Sequence, residues 1–300
     1  VLGLNHQILT INPTKKDKLT LALDTLVSHI KGSYVPLGTH IIQSFRKPVG
    51  STEIKEWLDE LLEAPVLTAD IEAFSLKFFT AGVGTISFAT DKNNGGSFRV
   101  DYNNDLQEPS NNTSRFLVNS VVRSLLRSFF ENYKGKLIWH NAPYDLKCLI
   151  YALWMQHPQD YVGMHYGLEV MTRNMEDTKI IAYLATNSCA GNQLGLKTLA
   201  HPFAGNWAVE EIKDITLIEE SKLLQYNLVD ALSTWFVYDT YKPKMIEYHQ
   251  ETIYQDLMLP SLKTIIYMEM IGMPMSPTRI IEVKDQLDEI SNRNKAIIDN

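Results

Sequence analysis

Three spacings of polar residues in this 300-residue chain could do chemistry. In Leu67-Thr68-Ala69-Asp70-Ile71-Glu72, an extended backbone sends alternate side chains to opposite faces, so Asp70 and Glu72 share one face and Ala69 and Ile71 the other. Two like charges on one face repel, and a divalent cation that favours hard oxygen ligands, Mg²⁺ or Mn²⁺, would relieve them. In His140-Asn141-Ala142-Pro143-Tyr144-Asp145, a strand ends at His140, Pro143 pre-sets the first helical turn, and Asp145 lies within that turn. In Tyr226-Asn227-Leu228-Val229-Asp230, Tyr and Asp stand four apart on one helix face and can meet one ligand. Taken singly, each also fits a bland role: a solvated strand end, an Asp favoured by a helix dipole, an exposed helical Asp.

The elements that must position these residues follow from periodicity. Ser51 opens an amphipathic helix with Trp57, Leu58, Leu61 and Leu62 on one side and Ala64-Pro65 as its stop. Val66–Glu72, Gly84–Thr90 and Ser97–Tyr102 predict a three-stranded meander, with Asn93-Asn94-Gly95-Gly96 as a turn. Alternation follows: a helix over Arg115–Phe130, a strand over Leu137–His140, a helix from Pro143, a short strand near Glu176-Asp177, and helices over Lys179–Leu184 and Leu194–Ala200. That order predicts an α/β chain whose mixed sheet has an antiparallel side and a parallel βαβ side. A long helix runs from about Leu217 toward Tyr241, before Pro243, with Leu224, Leu228, Ala231, Leu232 and Trp235 as its core stripe. Helices over Ile253–Ile271 and from Thr278 to the last residue close the chain. Residues 1–50 read as a small N-terminal α/β extension: a strand at Ile8–Ile11, a helix over Lys18–Ile30 and a strand over His40–Phe45. The division expected is therefore 1–50, 51–247 and 248–300.

Composition narrows the classes. Lys and Arg number 28 against 35 Asp and Glu, a formal charge of −7, which argues against coating duplex nucleic acid with a general basic field but leaves room for a local cleft. Two cysteines, Cys148 and Cys189, are too few for a disulfide framework and point to a reducing, cytoplasmic compartment. The most apolar stretch, Ile265–Met275, is broken by Glu269, Gly272 and Pro274, so no membrane span is expected. Val1-Leu2-Gly3-Leu4 holds no initiator Met and the last helix has no terminator, so a longer natural polypeptide is expected.

Considered jointly, Asp-x-Glu, Asn-x-x-x-Asp and Tyr-x-x-x-Asp, in this order, with Asp70, Asp145 and Asp230 separated by 75 and 85 residues, resemble the three motifs of proofreading 3′→5′ exonucleases. The match is to the tyrosine branch of the DEDD superfamily, whose fold is RNase H-like. Asp177-Thr178, Ala182-Tyr183-Leu184, Asn187-Ser188 and Gly195-Leu196-Lys197-Thr198-Leu199-Ala200 are similar to the segment between the second and third motifs in family A DNA polymerases. Met268-Glu269-Met270-Ile271-Gly272 resembles the entry to their polymerase thumb. The layout looks most like a bacteriophage replicative enzyme, with any polymerase activity beyond Asn300.

The resemblance implies hydrolysis with two Mg²⁺, for which Mn²⁺ can substitute, about 3.5–4 Å apart. Asp70 would bridge both, Glu72 and Asp230 would complete one site, and Asp145 would hold the second. Tyr226 would orient the attacking water, since a phenol is a donor and acceptor at neutral pH. Leu76 falls where the family places a wedge against the terminal base, Phe74 is a stacking candidate, and Asn141 and His140 are possible substrate contacts. Lys147, Arg173, Lys179 and Lys197 could offset local charge or simply be solvated. The implied partner is a single-stranded 3′ end of DNA, with replisome proteins as further possibilities and the host cytoplasm as the location of a phage enzyme. Two alternatives stay open: an exoribonuclease of the same superfamily, because carboxylates alone do not read a 2′-hydroxyl, and an inactive binding module.

Overall fold

A computed structural model describes residues 5–11, 16–103, 115–186, 193–205 and 214–298. Val1 to Leu4, Asn187-Ser188 and Cys189 lie outside the described residues. The chain order is α1 (Ile8–Ile11), α2 (Lys16–Ile30), β1 (Ser44–Arg46), α3 (Gly50–Leu61), β2 (Val66–Glu72), α4 (Phe78–Ala81), β3 (Thr85–Ala89), β4 (Asn94–Arg99), α5 (Ser120–Asn132), β5 (Lys136–Trp139), α6 (Pro143–Trp154), α7 (Tyr161–Thr172), β6 (Met175–Asp177), α8 (Thr178–Ala185), α9 (Leu196–Ala204), α10 (Glu220–Glu247), α11 (Glu251–Ile253), α12 (Leu259–Ile271) and α13 (Pro277–Ile298). Six strands form one sheet in the order β1-β4-β3-β2-β5-β6. The β2, β3 and β4 meander is antiparallel, whereas β5 and β6 continue in parallel from β2. This is the expected mixed RNase H-like sheet flanked by helices.

Alternation along β2 assigns the two faces. Leu67, Ala69 and Ile71 join a core with Ile54, Trp57 and Leu58 of α3 and Leu126 and Phe129 of α5. Thr68 and Asp70 face α10 instead: the Thr68 hydroxyl donates to the Ala231 carbonyl at 2.7 Å. Ser87 does the same to Asn227 at 2.8 Å and Ser97 to Leu224 at 2.7 Å. Hydroxyl side chains, each bond contributing about 1 kcal/mol, therefore fasten the long helix directly onto the sheet. Gly95 adds room, since a Cβ there would lie 2.9 Å from Leu228 Cδ1 and 2.4 Å from the Phe88 carbonyl.

Several expectations need correction. Ile8–Ile11 is a helical turn, not a strand, closed by local bonds such as Leu9 N–H to His6 O at 3.1 Å; a four-residue apolar run has too few residues for its period to separate the two forms. Of His40–Phe45 only the end is strand, and β1 pairs with β4, so this part of the N-terminal segment belongs to the main sheet. Gly95 and Gly96 are inside β4, because the turn is made earlier by the Asp91 carboxylate accepting from the N–H groups of Asn93 and Asn94 at 2.7 and 2.9 Å. The helix expected from Arg115 begins at Ser120, capped by Asn119, whose side chain accepts from Val122 N–H.

Pro243 does not stop α10, which runs on to Glu247. Pro243 and Asp239, the residue whose carbonyl loses its donor, both lie on the exposed side of the helix, where the lost bond costs least, while buried Met245 anchors the next turn. The helix ends where His249 takes a positive φ of 56° and Gln250 N–H reaches back to Met245 O at 3.0 Å. Helix α7 was not foreseen as a separate element. The segment after α10 packs back onto the sheet unit: Leu262, Ile266 and Met270 of α12 enter the main core, and Tyr254, in a widened π turn between α11 and α12, is fully buried. Helix α13 buries no residue. Among the described residues no helix is long and apolar enough to cross a membrane.

Candidate active site

The chemistry-bearing residues meet where the carboxyl ends of parallel β2 and β5 face the middle of α10. Asp70 and Glu72 close β2, Asp145 sits in the first turn of α6 directly after β5, and Tyr226 and Asp230 project from α10. Carboxylate oxygens of Asp70, Glu72 and Asp230 lie within 4.8 Å of one another. Asp145 stands apart from that trio yet close enough for its charge to act on Asp70 and Glu72. The Tyr226 hydroxyl lies beside the Asp230 carboxylate, close enough to lower the pKa of that acid.

Electrostatically the cluster is under strain. Burial, followed by the charges of Asp230 and Asp145, pushes Glu72 up to about 8. Asp145 rises to about 8 through burial, although backbone hydrogen bonds at its own residue and at Ile71 pull the other way. Asp230 rises to about 7 through burial, offset by Lys197 and Tyr226. Asp70 is raised by burial and by the other three acids. Burial first, then the surrounding carboxylates, also keep Tyr226 protonated well above its usual range, which makes it a hydrogen-bond donor and excludes a role as a base at neutral pH.

The donor set fits divalent metal. All four candidate ligands are hard carboxylate oxygens, and among the described residues the buried Asp230 Oδ1 has no hydrogen-bond partner. A buried, partnerless anionic oxygen is costly unless something outside the protein meets it.

Other candidate residues divide sharply. Leu76 is 89% exposed at the tip of the loop after β2, free to touch a base. The Tyr144 hydroxyl donates to the Ser75 carbonyl at 2.9 Å and so ties that loop to α6. Phe74 packs instead against Phe116, with centroids 5.1 Å apart, and against Tyr102. Both ring nitrogens of His140 are engaged: Nδ1 pairs with the Thr178 hydroxyl at 2.8 Å and Nε2 with the Leu194 carbonyl at 3.0 Å, and burial lowers its pKa to about 4. It is a neutral strut between two segments. Asn141 takes a positive φ of 64°, a conformation Asn tolerates better than most residues, and its Oδ1 accepts from Lys179 Nζ at 3.1 Å.

Of the four basic residues considered, Lys197 belongs to the site. Its Nζ lies 5.0 Å from the Tyr226 ring centroid, and its charge lowers the pKa of both Glu72 and Asp230. Lys147 pairs with Glu269, and Arg173 donates to the Glu131 carbonyl. Asn227, unconsidered at the level of sequence, is fully buried and donates from Nδ2 to Asp70 Oδ2 at 2.7 Å. A signal for it was present: an amide standing beside Leu224, Leu228 and Ala231 interrupts the apolar side of α10.

A 3′-5′ exonuclease family model matches residues 45–226, more than half of the sequence. The chain belongs to the 3′-5′ exonuclease family. The exonuclease is of the DEDD type, whose domains use divalent metals; Asp230 lies four residues beyond the matched stretch and is placed in the site by α10. No curated protein sequence matches. Among solved structures, the POL domain of Pol1 from M. smegmatis, in complex with DNA primer-template and dNTP, is similar at a TM-score of 0.54 and 14% identity, over 85% of this chain. This chain spans only 36% of that one. NrnC from Brucella melitensis bound to pGG is similar at a TM-score of 0.51 and 12% identity, over 77% of this chain and 95% of that one. These likenesses show the fold.

Proposed function

We propose that this exonuclease removes 3′-terminal nucleotides from single-stranded DNA with two Mg²⁺, Mn²⁺ being able to substitute, as the proofreading part of a bacteriophage-type family A DNA polymerase. The observation that carries the chemistry is the trio Asp70, Glu72 and Asp230 with its unpartnered buried oxygen. Asp70, Glu72, Asp145 and Asp230 are the residues that would hold the metals. When bound, the metals supply water activation and stabilise charge on the phosphoryl and leaving oxygens. Tyr226, kept protonated and anchored on Asp230, orients the attacking water, and Glu72 helps accept its proton. Leu76 rests against the terminal base and Asn141 borders the strand; Phe74 supports the loop from behind.

Two features support DNA over RNA: the segment from Met268 to Gly272 resembles the thumb entry of family A polymerases, and α12 packs its buried face onto the exonuclease core. The unit is then 51–247 together with β1, the outer strand that precedes it, and residues 248–300 begin the polymerase part, whose activity is expected beyond Asn300. The M. smegmatis relative was solved with primer-template DNA, in keeping with this reading. Replisome partners and the host cytoplasm belong to the same proposal.

Matched 3′-labelled DNA and RNA oligonucleotides test it. Mg²⁺-dependent shortening of DNA from the 3′ end, abolished in Asp70→Ala with an unchanged melting curve, is expected. Preferential digestion of RNA would move the assignment to an exoribonuclease, and undiminished digestion by Asp70→Ala would remove the site altogether.

A further inference from the structure

Asn227 forms a bridge that no motif describes. Its Nδ2 donates to Asp70 Oδ2 at 2.7 Å, its Oδ1 accepts from the Thr85 hydroxyl at 3.0 Å, and its main-chain carbonyl accepts from the Ser87 hydroxyl at 2.8 Å. Ser87 also reaches the Asp70 carbonyl at 3.3 Å. Asn227, Thr85 and Ser87 are all fully buried. Only an amide of this size can donate to a carboxylate at one end and accept a hydroxyl proton at the other. Were the amide turned over, its oxygen would oppose the Asp70 carboxylate, so the carboxylate fixes which end faces it and the Thr85 hydroxyl holds the side chain in place.

The placement matters because Asn227 is flanked on one helix by Tyr226 and Asp230. Its bond ties the acid of β2 to the helix that carries the other site residues, so the separation of Asp70 from Asp230 is set by a side-chain link as well as by packing.

We propose that Asn227, oriented by Thr85, is a positioning residue that presents the Asp70 carboxylate to divalent metal and thereby sets the metal affinity of the site. This rests on the reading of Asp70, Glu72 and Asp230 as metal ligands. Hydrogen-bond partners of metal ligands typically govern metal affinity by 10- to 100-fold.

Calorimetric titration of the whole chain with Mn²⁺ alone provides the test, with digestion of single-stranded DNA measured across Mn²⁺ concentrations in parallel. Asn227→Leu should weaken Mn²⁺ binding by about tenfold and raise the Mn²⁺ needed for half-maximal digestion equally, while the rate at saturating Mn²⁺ stays within about threefold of the parent. Thr85→Val, which removes only the orienting hydroxyl, should weaken binding by about threefold. If Asn227→Leu loses its cooperative melt, Thr85→Val decides: weakened binding upholds the proposal and parental affinity overturns it. Parental affinity in both variants overturns it outright. Asp70→Ala separates the two layers of argument. Lost Mn²⁺ binding there with parental affinity in the Asn227 and Thr85 variants sinks only the positioning role, whereas retained binding in Asp70→Ala sinks the ligand reading beneath it.

Discussion

Two groups of buried or half-buried acids sit near the strand ends of one sheet and have opposite fates. At the end of β6, Glu176 is 3% exposed and paired with Lys136 at 2.5 Å and Lys242 at 3.1 Å. Next to it, Asp177 accepts from the backbone N–H groups of Ala142 and Lys179 at 2.8 Å each and of Asn141 and Ile180 at 3.3 Å each, capping α8 and bracing the start of α6. Asp101 is likewise met by Arg123 at 2.6 Å and by Val83 N–H at 2.9 Å. At the end of β2, Asp70 has one side-chain amide, and on α10 beside it one oxygen of Asp230 has no partner among the described residues. The first group is met by hydrogen bonds and cations from within the protein, although burial still raises the Asp177 pKa, whereas the second is met only in part. A buried acid whose partners are complete is structural, and one left incomplete marks where an external cation belongs.

The largest test of this contrast exchanges the two groups. Asp230→Asn should reduce hydrolysis by about three orders of magnitude, roughly 4 kcal/mol of barrier, yet leave the metal-free protein as stable as before or more so, because it removes a repelled charge. Asp101→Ala should do the reverse, lowering unfolding stability by about 3 kcal/mol by stranding Arg123 while activity per folded molecule is kept. Denaturant melts and initial rates on both variants check this, and a destabilised Asp230→Asn would erase the distinction.

Next in size is the effect of pH. Raised carboxyl pKa values mean that the folded cluster binds more protons than the unfolded chain between about pH 4 and about 8. The stability they contribute is present at low pH and lost as pH rises through the folded values near 7 and 8. In chelator, the melting temperature should therefore fall from pH 5 to pH 8.5, and less steeply in Glu72→Gln. A metal supplied at pH 8 should restore it. Parallel pH slopes for the two proteins would contradict the values given to Glu72.

Two smaller effects sharpen the picture. Tyr226→Phe should slow turnover by about ten- to a hundredfold without moving Mn²⁺ affinity, since a neutral phenol beside Asp230 is not one of the proposed ligands. Lys197→Met removes a cation that competes for the same carboxylates, and Mn²⁺ binding should tighten about threefold at low salt. Weaker binding there would mean that Lys197 organises the ligands.

Much of the site was legible because it depends on short periods. Period-2 alternation put Asp70 and Glu72 on one face, and i, i+4 spacing put Tyr226 beside Asp230; both relations hold in any strand or helix. The partners of His140 were not legible, because a strand-end imidazole reveals nothing of them and they come from Thr178 and Leu194, 38 and 54 residues away. Pro243 was misread because the cost of a lost helical bond depends on whether its carbonyl faces water.

The sequence by itself determined the donor types, their order, the mixed sheet and the family to which they belong, since these follow from residue chemistry and local backbone period. Only the tertiary structure decided which buried acids are compensated and which are not, and that an asparagine 157 residues away reaches Asp70. Compensation is a matter of partners, and partners distant in the chain are chosen by how helix α10 is fastened to the sheet.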